Sequence, residues 1–156
     1  MVKKIGGVRI LYLIVLIVLL TIGAFVFVAH ATPPPTPTIL KVTRPHNPLR
    51  PELAVINKRI TNAAAVQKLY QAALALPEAS SALRHCPADY GMAYKLTFLD
   101  HDTKIKTMEL KITGCQALSI DTDTIFNHKD ARDTNTAFND LFSHTIGFAS
   151  TNDLYK

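Results

Sequence analysis

The stretch GMAYKLTFLDHDTKIKTMELKI, residues 91–112, decides the fold. It holds two runs in which apolar side chains recur at every second position. Met92, Tyr94, Leu96 and Phe98 form one set; Met108, Leu110 and Ile112 form the other. A period of two puts each set on one face of a strand. Between them Asp100-His101-Asp102-Thr103 has the composition of a turn, so the two runs predict an antiparallel hairpin. Gly114 then permits a tight bend, and QALSI, 116–120, continues as a third strand of the meander.

This hairpin also places the cysteines. If Leu99 faces Lys104 across the turn, Cys86 and Cys115 meet at the open end of the hairpin. They are the only cysteines in the chain, which suits one disulfide in an exported domain. Chain entropy assigns about 3–4 kcal/mol to closing a loop of about 30 residues.

Working outward, Leu53 to Ile60 (LAVINKRI) reads as a strand. Thr61 or Asn62 caps a following helix, whose apolar stripe is Ala63, Val66, Leu69, Tyr70, Ala73 and Leu74; Pro77 ends it. Residues 77–89 read as a loop. On the other side, 121–133 is polar apart from Ile125 and Phe126. Asp133 or Thr134 caps a second helix with Phe138, Leu141, Phe142 and Ile146 on one stripe and Gly147 at its end. The expected class is α+β: a small antiparallel sheet with two helices packed on one face and one disulfide.

The first fifty residues concern location. Lys3, Lys4 and Arg9 precede Ile10 to Val28, nineteen residues without a charge. As a helix these span about 29 Å, close to the ~30 Å of a bilayer's hydrocarbon core. Residues 1–31 are therefore read as a signal-anchor whose transmembrane ends are Ile10 and Val28, with the N-terminus cytoplasmic because the flanking charge is basic. Ala29-His30-Ala31 also fits a signal-peptidase site. The apolar run is longer than in a usual signal, and no Pro or Gly breaks it between 24 and 31, which favours the uncut anchor. Secretion after cleavage at Ala31 is the alternative. Residues 32–51 hold seven prolines in twenty positions and are expected to form an extended spacer that joins no central strand. Residues 52–156 make the extracytoplasmic domain.

Composition narrows the function. The chain's net charge of +5 comes from its first fifty residues; from Glu52 onward there are eleven Lys/Arg and twelve Asp/Glu, a net of −1. No Lys/Arg stripe with interleaved aromatics is present, so a nucleic acid is not the expected partner. Lys41, Arg44 and Arg50 of the spacer are read as solvated charges with weak access to anionic lipid or wall polymer.

LYQAALALP, CPADYG with YKLTF after it, and TGC together resemble uncharacterised small exported or membrane-anchored bacterial proteins with a paired cysteine frame. The likeness covers roughly residues 55–120. It implies the disulfide and export, and no activity.

Four groups could carry chemistry. Asp100-His101-Asp102 offers two carboxylates beside an imidazole, but adjacent positions at a hairpin tip point apart and Asp is at home in turns. Asp121, Asp123, His128 and Asp130 have the alternate spacing of a calcium loop without its bend glycine or terminal Glu. His85 adjoins Cys86, which the disulfide removes from thiolate chemistry. Ser143-His144 sit next to each other on a helix and face different directions. No G-x-S-x-G, phosphate loop, H-E-x-x-H or C-x-x-C is present. No catalytic, metal or cofactor-binding residue is assigned, and no cofactor is expected.

The expected function is a single-pass membrane protein that contacts the lipid bilayer through residues 10–28 and presents a binding or interaction domain to an unknown extracytoplasmic protein or envelope ligand. One alternative is a cell-envelope hydrolase using carboxylates such as Asp121 and Asp123. Another is an exported protease inhibitor offering Ala79 to Pro87 as bait, with Arg84 as its specificity residue.

Overall fold

A computed structural model describes residues 35–80, 85–121 and 130–156. Ile10, Val28 and Ala31, and with them the anchor and the cleavage site, lie outside the described residues, as do Arg84, Asp123 and His128. Among the described residues no helix is long and apolar enough to cross a membrane.

The order along the chain is β1 (Ile39–Arg44), β2 (Ile56–Ile60), α1 (Ala63–Leu74), β3 (Ala93–Asp100), β4 (Thr103–Lys111), β5 (Ala117–Ile120), β6 (Asp130–Asp133), α2 (Thr136–Thr145) and a 3-10 turn (Thr151–Tyr155). The strands form one antiparallel sheet in the order β2-β1-β3-β4-β5-β6. The expected α+β domain with its hairpin, meander and two helices is present.

The hairpin β3–β4 contains a feature its spacing does not announce. Asp100 pairs with Thr103 and Leu99 with Lys104, as expected, but beyond them the register slips, so that Phe98 faces Lys106, Leu96 faces Met108 and Tyr94 faces Leu110. A tight turn alone would set Leu96 against Thr107 and put the two apolar sets on opposite faces. The extra residue at Ile105 restores the parity and aligns both sets toward the core. His101 at the turn tip takes a positive φ of 54°.

The largest correction concerns residues 32–51. ILKVTR, 39–44, is a strand inside the sheet, pairing with β2 on one side and β3 on the other. The prolines lie at 33–37 and again from 45, and the seven residues between Pro37 and Pro45 carry none. Averaging over twenty positions hid a short alternating strand whose Leu40 and Val42 are fully buried. The spacer loses these residues, and Pro35–Lys156 forms one unit. β6 carries no such signal in its sequence. DARD has no apolar alternation, and backbone pairing of Ala117 with Asp133 and Ile120 with Asp130 defines it.

Both helices cover the face that carries Tyr94 and Phe98: Tyr70 of α1 meets Phe98 edge-on at 5.0 Å, and Phe142 of α2 meets Tyr94 at 5.3 Å. Val66, Leu69, Tyr70 and Ala73 of α1 are buried, as are Phe138 and Phe142 of α2. Asn62 caps α1, accepting from the Ala65 amide at 3.2 Å. Asn135 caps α2, accepting from the Phe138 amide at 2.9 Å. Neither Asp133 nor Thr134 does so, because Asp133 belongs to β6 and the Thr134 hydroxyl donates to the Gln116 carbonyl. Each helix ends on a cation from the sheet. Arg132 donates to the Leu74 and Leu76 carbonyls, both at 2.8 Å, and Lys58 donates to the Ile146 carbonyl at 2.8 Å.

The sheet's two edges are treated differently. Residues 77–79 run beside β6, where the Ala79 amide donates to the Ala131 carbonyl and the Asp133 amide to the Pro77 carbonyl. The expected loop is thus strand-like at its start and covers this edge. β2, at the other edge, is five residues long and turns Lys58 inward, a device that discourages edge-to-edge pairing.

Candidate functional site

Two loops at the cysteine-bearing end of the sheet build the candidate site. The first contains CPADYG. Cys86 and Cys115 are joined by a disulfide, with their Cα atoms 4.8 Å apart. Asp89 accepts from the Gly91 amide at 2.9 Å and from the Thr113 hydroxyl at 2.8 Å. The Thr113 oxygen in turn accepts from the Met92 amide at 3.3 Å. Gly114, at φ +67°, lies directly under Asp89, and a Cβ there would come within 3.0 Å of the Asp89 side chain. CPADYG and Thr113-Gly114-Cys115 thus form one knot that fixes how the chain enters β3. The Gly91 and Thr113 hydrogen bonds hold the Asp89 carboxyl below the usual carboxylate range.

The second loop, 45–55, joins β1 to β2 and is tied to the first, since the Asn47 side chain donates to the Tyr90 carbonyl at 2.7 Å. Arg44 anchors its start. Only 3 % exposed, Arg44 donates to the Ala54 carbonyl, the Tyr94 hydroxyl, and the Leu154 and Lys156 carbonyls at 2.5–3.1 Å. This corrects the reading of Arg44 as a solvated spacer charge. Arg50 is also engaged, pairing with Glu52. Only Lys41 of the three stands exposed without such a partner among the described residues.

Together the loops border a groove of about 690 Å³ on the sheet face opposite α1 and α2, over which no helix lies among the described residues. Thr43, Asn57, Lys95, Thr107 and Glu109 form its strand floor; Pro45, His46, Pro48 and Val55 form a wall; Asp121 closes one end. Lys95 and Glu109 are cross-strand partners in register. Val55, 63 % exposed, lies on this wall, and Tyr90, 49 % exposed, sits at the neighbouring rim. Alternation puts Lys95 and Thr97 on one side of β3, and Thr107 and Glu109 on one side of β4, but only the bulge at Ile105 brings the two pairs to the same face. Which other strands extend that face, and that 45–55 would wall it, was not readable locally.

The sequence candidates do not converge. Asp100 contacts the His101 ring at 2.8 Å while Asp102 turns to Arg59 at 3.3 Å, so the two carboxylates serve different partners in an exposed turn. Asp121 lines the groove, whereas Asp130, opposite the buried Ile120, pairs with Arg132 on the helix side of the sheet. The two acids therefore face away from each other. Among the described residues no three His, Cys, Asp or Glu side chains are grouped to hold a metal. Ser143 is buried and donates to the Asp140 carbonyl at 2.9 Å, while His144 is exposed. Ala79, the start of the expected bait loop, is hydrogen-bonded along β6.

No protein-family model matches the chain, and no curated protein or solved structure matches it.

Proposed function

We propose that this chain is a single-pass membrane protein whose outer domain binds an envelope ligand in the groove over β1, β3 and β4. One observation carries the binding reading: among the described residues a six-stranded sheet has both helices on one face, and on the other lies a walled groove with polar side chains on its strand floor and apolar residues along its walls. The nineteen-residue uncharged run with basic residues before it supports the anchor, and the disulfide suits an oxidising compartment. The resemblance to exported bacterial proteins points the same way.

Two measurements test this reading. Cells expressing the full chain are fractionated, and the N-terminus of the product is determined; a soluble product starting at Thr32 would replace the anchor with a secreted form. The labelled protein is then titrated with soluble envelope fragments while the backbone amides of Thr43, Lys95 and Glu109 are followed by NMR. Ligand-dependent shifts confined to these strands are expected. Shifts only on the helix side would remove the groove from consideration.

The hydrolase reading retains one favourable observation, since Glu109 and Asp121 both line the groove. Glu109→Gln and Asp121→Asn would each abolish hydrolysis of envelope polymer under that reading, whereas if the groove only binds, the parent chain itself shows no hydrolysis.

A further inference from the structure

The helix-free face has a charge pattern that specifies its ligand further. Register places Arg59 of β2 opposite Lys41 of β1, and Lys41 opposite Thr97 of β3. Lys95 lies two residues from Thr97 and opposite Thr43, which makes Lys41 and Lys95 diagonal neighbours on one face. Three cationic side chains therefore run obliquely across three adjacent strands. Two of them, Lys41 and Lys95, have no ion partner among the described residues. Glu109 faces Lys95 in register and is not itself without a partner. Arg59 shares Asp102 in an exposed contact at 3.3 Å, and pairs of that kind are weak and readily exchanged. Thr43, Thr97 and Asn57 stand between the cations and supply further donors.

We propose, on the basis of the binding reading above, that this face takes a soluble linear polyanion. A chain with anions along its length meets Lys95 within the groove and continues to Lys41 and Arg59 outside it. Each contact replaces a condensed counterion. Two features decide against other occupants. Among the described residues no aromatic side chain stands on the strands of this face, and Tyr90 lies on the neighbouring rim, so bases and sugar rings have no stacking platform on the strands themselves. Val55, Pro45 and Pro48 wall the groove, which makes the surface concave and suits a chain better than a bilayer.

The test uses the full chain in an uncharged detergent, with fluorescein-labelled poly-L-glutamate and linear polyphosphate as probes, read by anisotropy between 50 and 200 mM salt. Binding of either polymer is expected, with affinity falling as salt rises. Lys41→Gln and Lys95→Gln should each weaken it several-fold and reduce the salt slope by about one. Lys68→Gln, the same charge change on the exposed side of α1, should leave both unchanged. Equal losses in all three variants would overturn the proposal by showing only a net-charge effect. Binding to phosphatidylglycerol vesicles but to neither polymer would overturn it in favour of a lipid surface. If neither polymer binds while envelope fragments still shift the groove amides, this inference fails and the binding reading stands. If both experiments are silent, both fail.

Discussion

Arg44 shows how far one residue's role can depart from its local composition. It stands next to Pro45 at the edge of a proline-rich stretch, yet its guanidinium is buried and satisfies four acceptors on three separate segments. The planar fork makes this possible; a lysine would offer one point charge to acceptors arranged around it. Arg44→Met keeps the volume and strands these acceptors in the core. It should cost about 2–4 kcal/mol in urea unfolding, and Arg44→Lys should recover little of it. Asp89 allows a test by pH. Its folded pKa is depressed by the Gly91 and Thr113 hydrogen bonds. The stability it contributes is therefore complete above its unfolded pKa and is lost as pH falls through the folded value. Asp89→Ala should lower the urea midpoint at pH 6, and the gap from the parent protein should narrow at pH 3. An equal gap at both values would mean that the carboxylate charge contributes nothing.

Within the elements, periodicity proved reliable wherever it was long enough. The helix α1 presents Leu69 to the core and Lys68 to solvent. Leu69→Ala should leave a cavity and cost about 2–5 kcal/mol, whereas Lys68→Ala should change stability by less than about 0.5 kcal/mol. Equal costs would mean that the helix is rotated. β1 needs a stricter test, because proline-rich surroundings conceal it. Val42 is fully buried on a strand that pairs on both sides. Val42→Pro removes a ladder donor in the middle of the sheet and should cost on the order of 3 kcal/mol or more. A spacer would tolerate it, so an unchanged denaturation curve would return 39–44 to the linker. Ile105 teaches a different lesson. Turn and strand were each legible, but the bulge follows only from combining them, since a tight turn of this parity cannot align two apolar faces without one extra residue.

At the scale of the whole molecule, the disulfide joins residues 29 apart and closes the end of the sheet where the groove lies. Cys86→Ser should cost about 2–5 kcal/mol, and non-reducing mass spectrometry of the parent should show a mass lower by two hydrogens. The Asp89 and Asn47 hydrogen bonds still hold the loop in that variant. Groove binding should therefore persist at temperatures where the variant remains folded. Loss of binding below the unfolding transition would show that the disulfide itself shapes the groove.

The α+β class, the hairpin, both helices with their buried stripes and the cysteine pair are legible in the order of the residues alone. Each of these rests on contacts between residues close in the chain or on a repeated period, so local order contains the signal. Long-range pairing alone places 39–44 between β2 and β3, makes DARD a strand, takes Arg44 inside, and brings the polar sides of β1, β3 and β4 together beside the 45–55 loop. The β1–β3 ladder and the Arg44–Tyr94 hydrogen bond span fifty or more residues, and the β5–β6 ladder that defines DARD rests on backbone pairing alone. A ladder places no demand on side-chain type, and a polar face carries no periodic apolar mark that would show which strands share it.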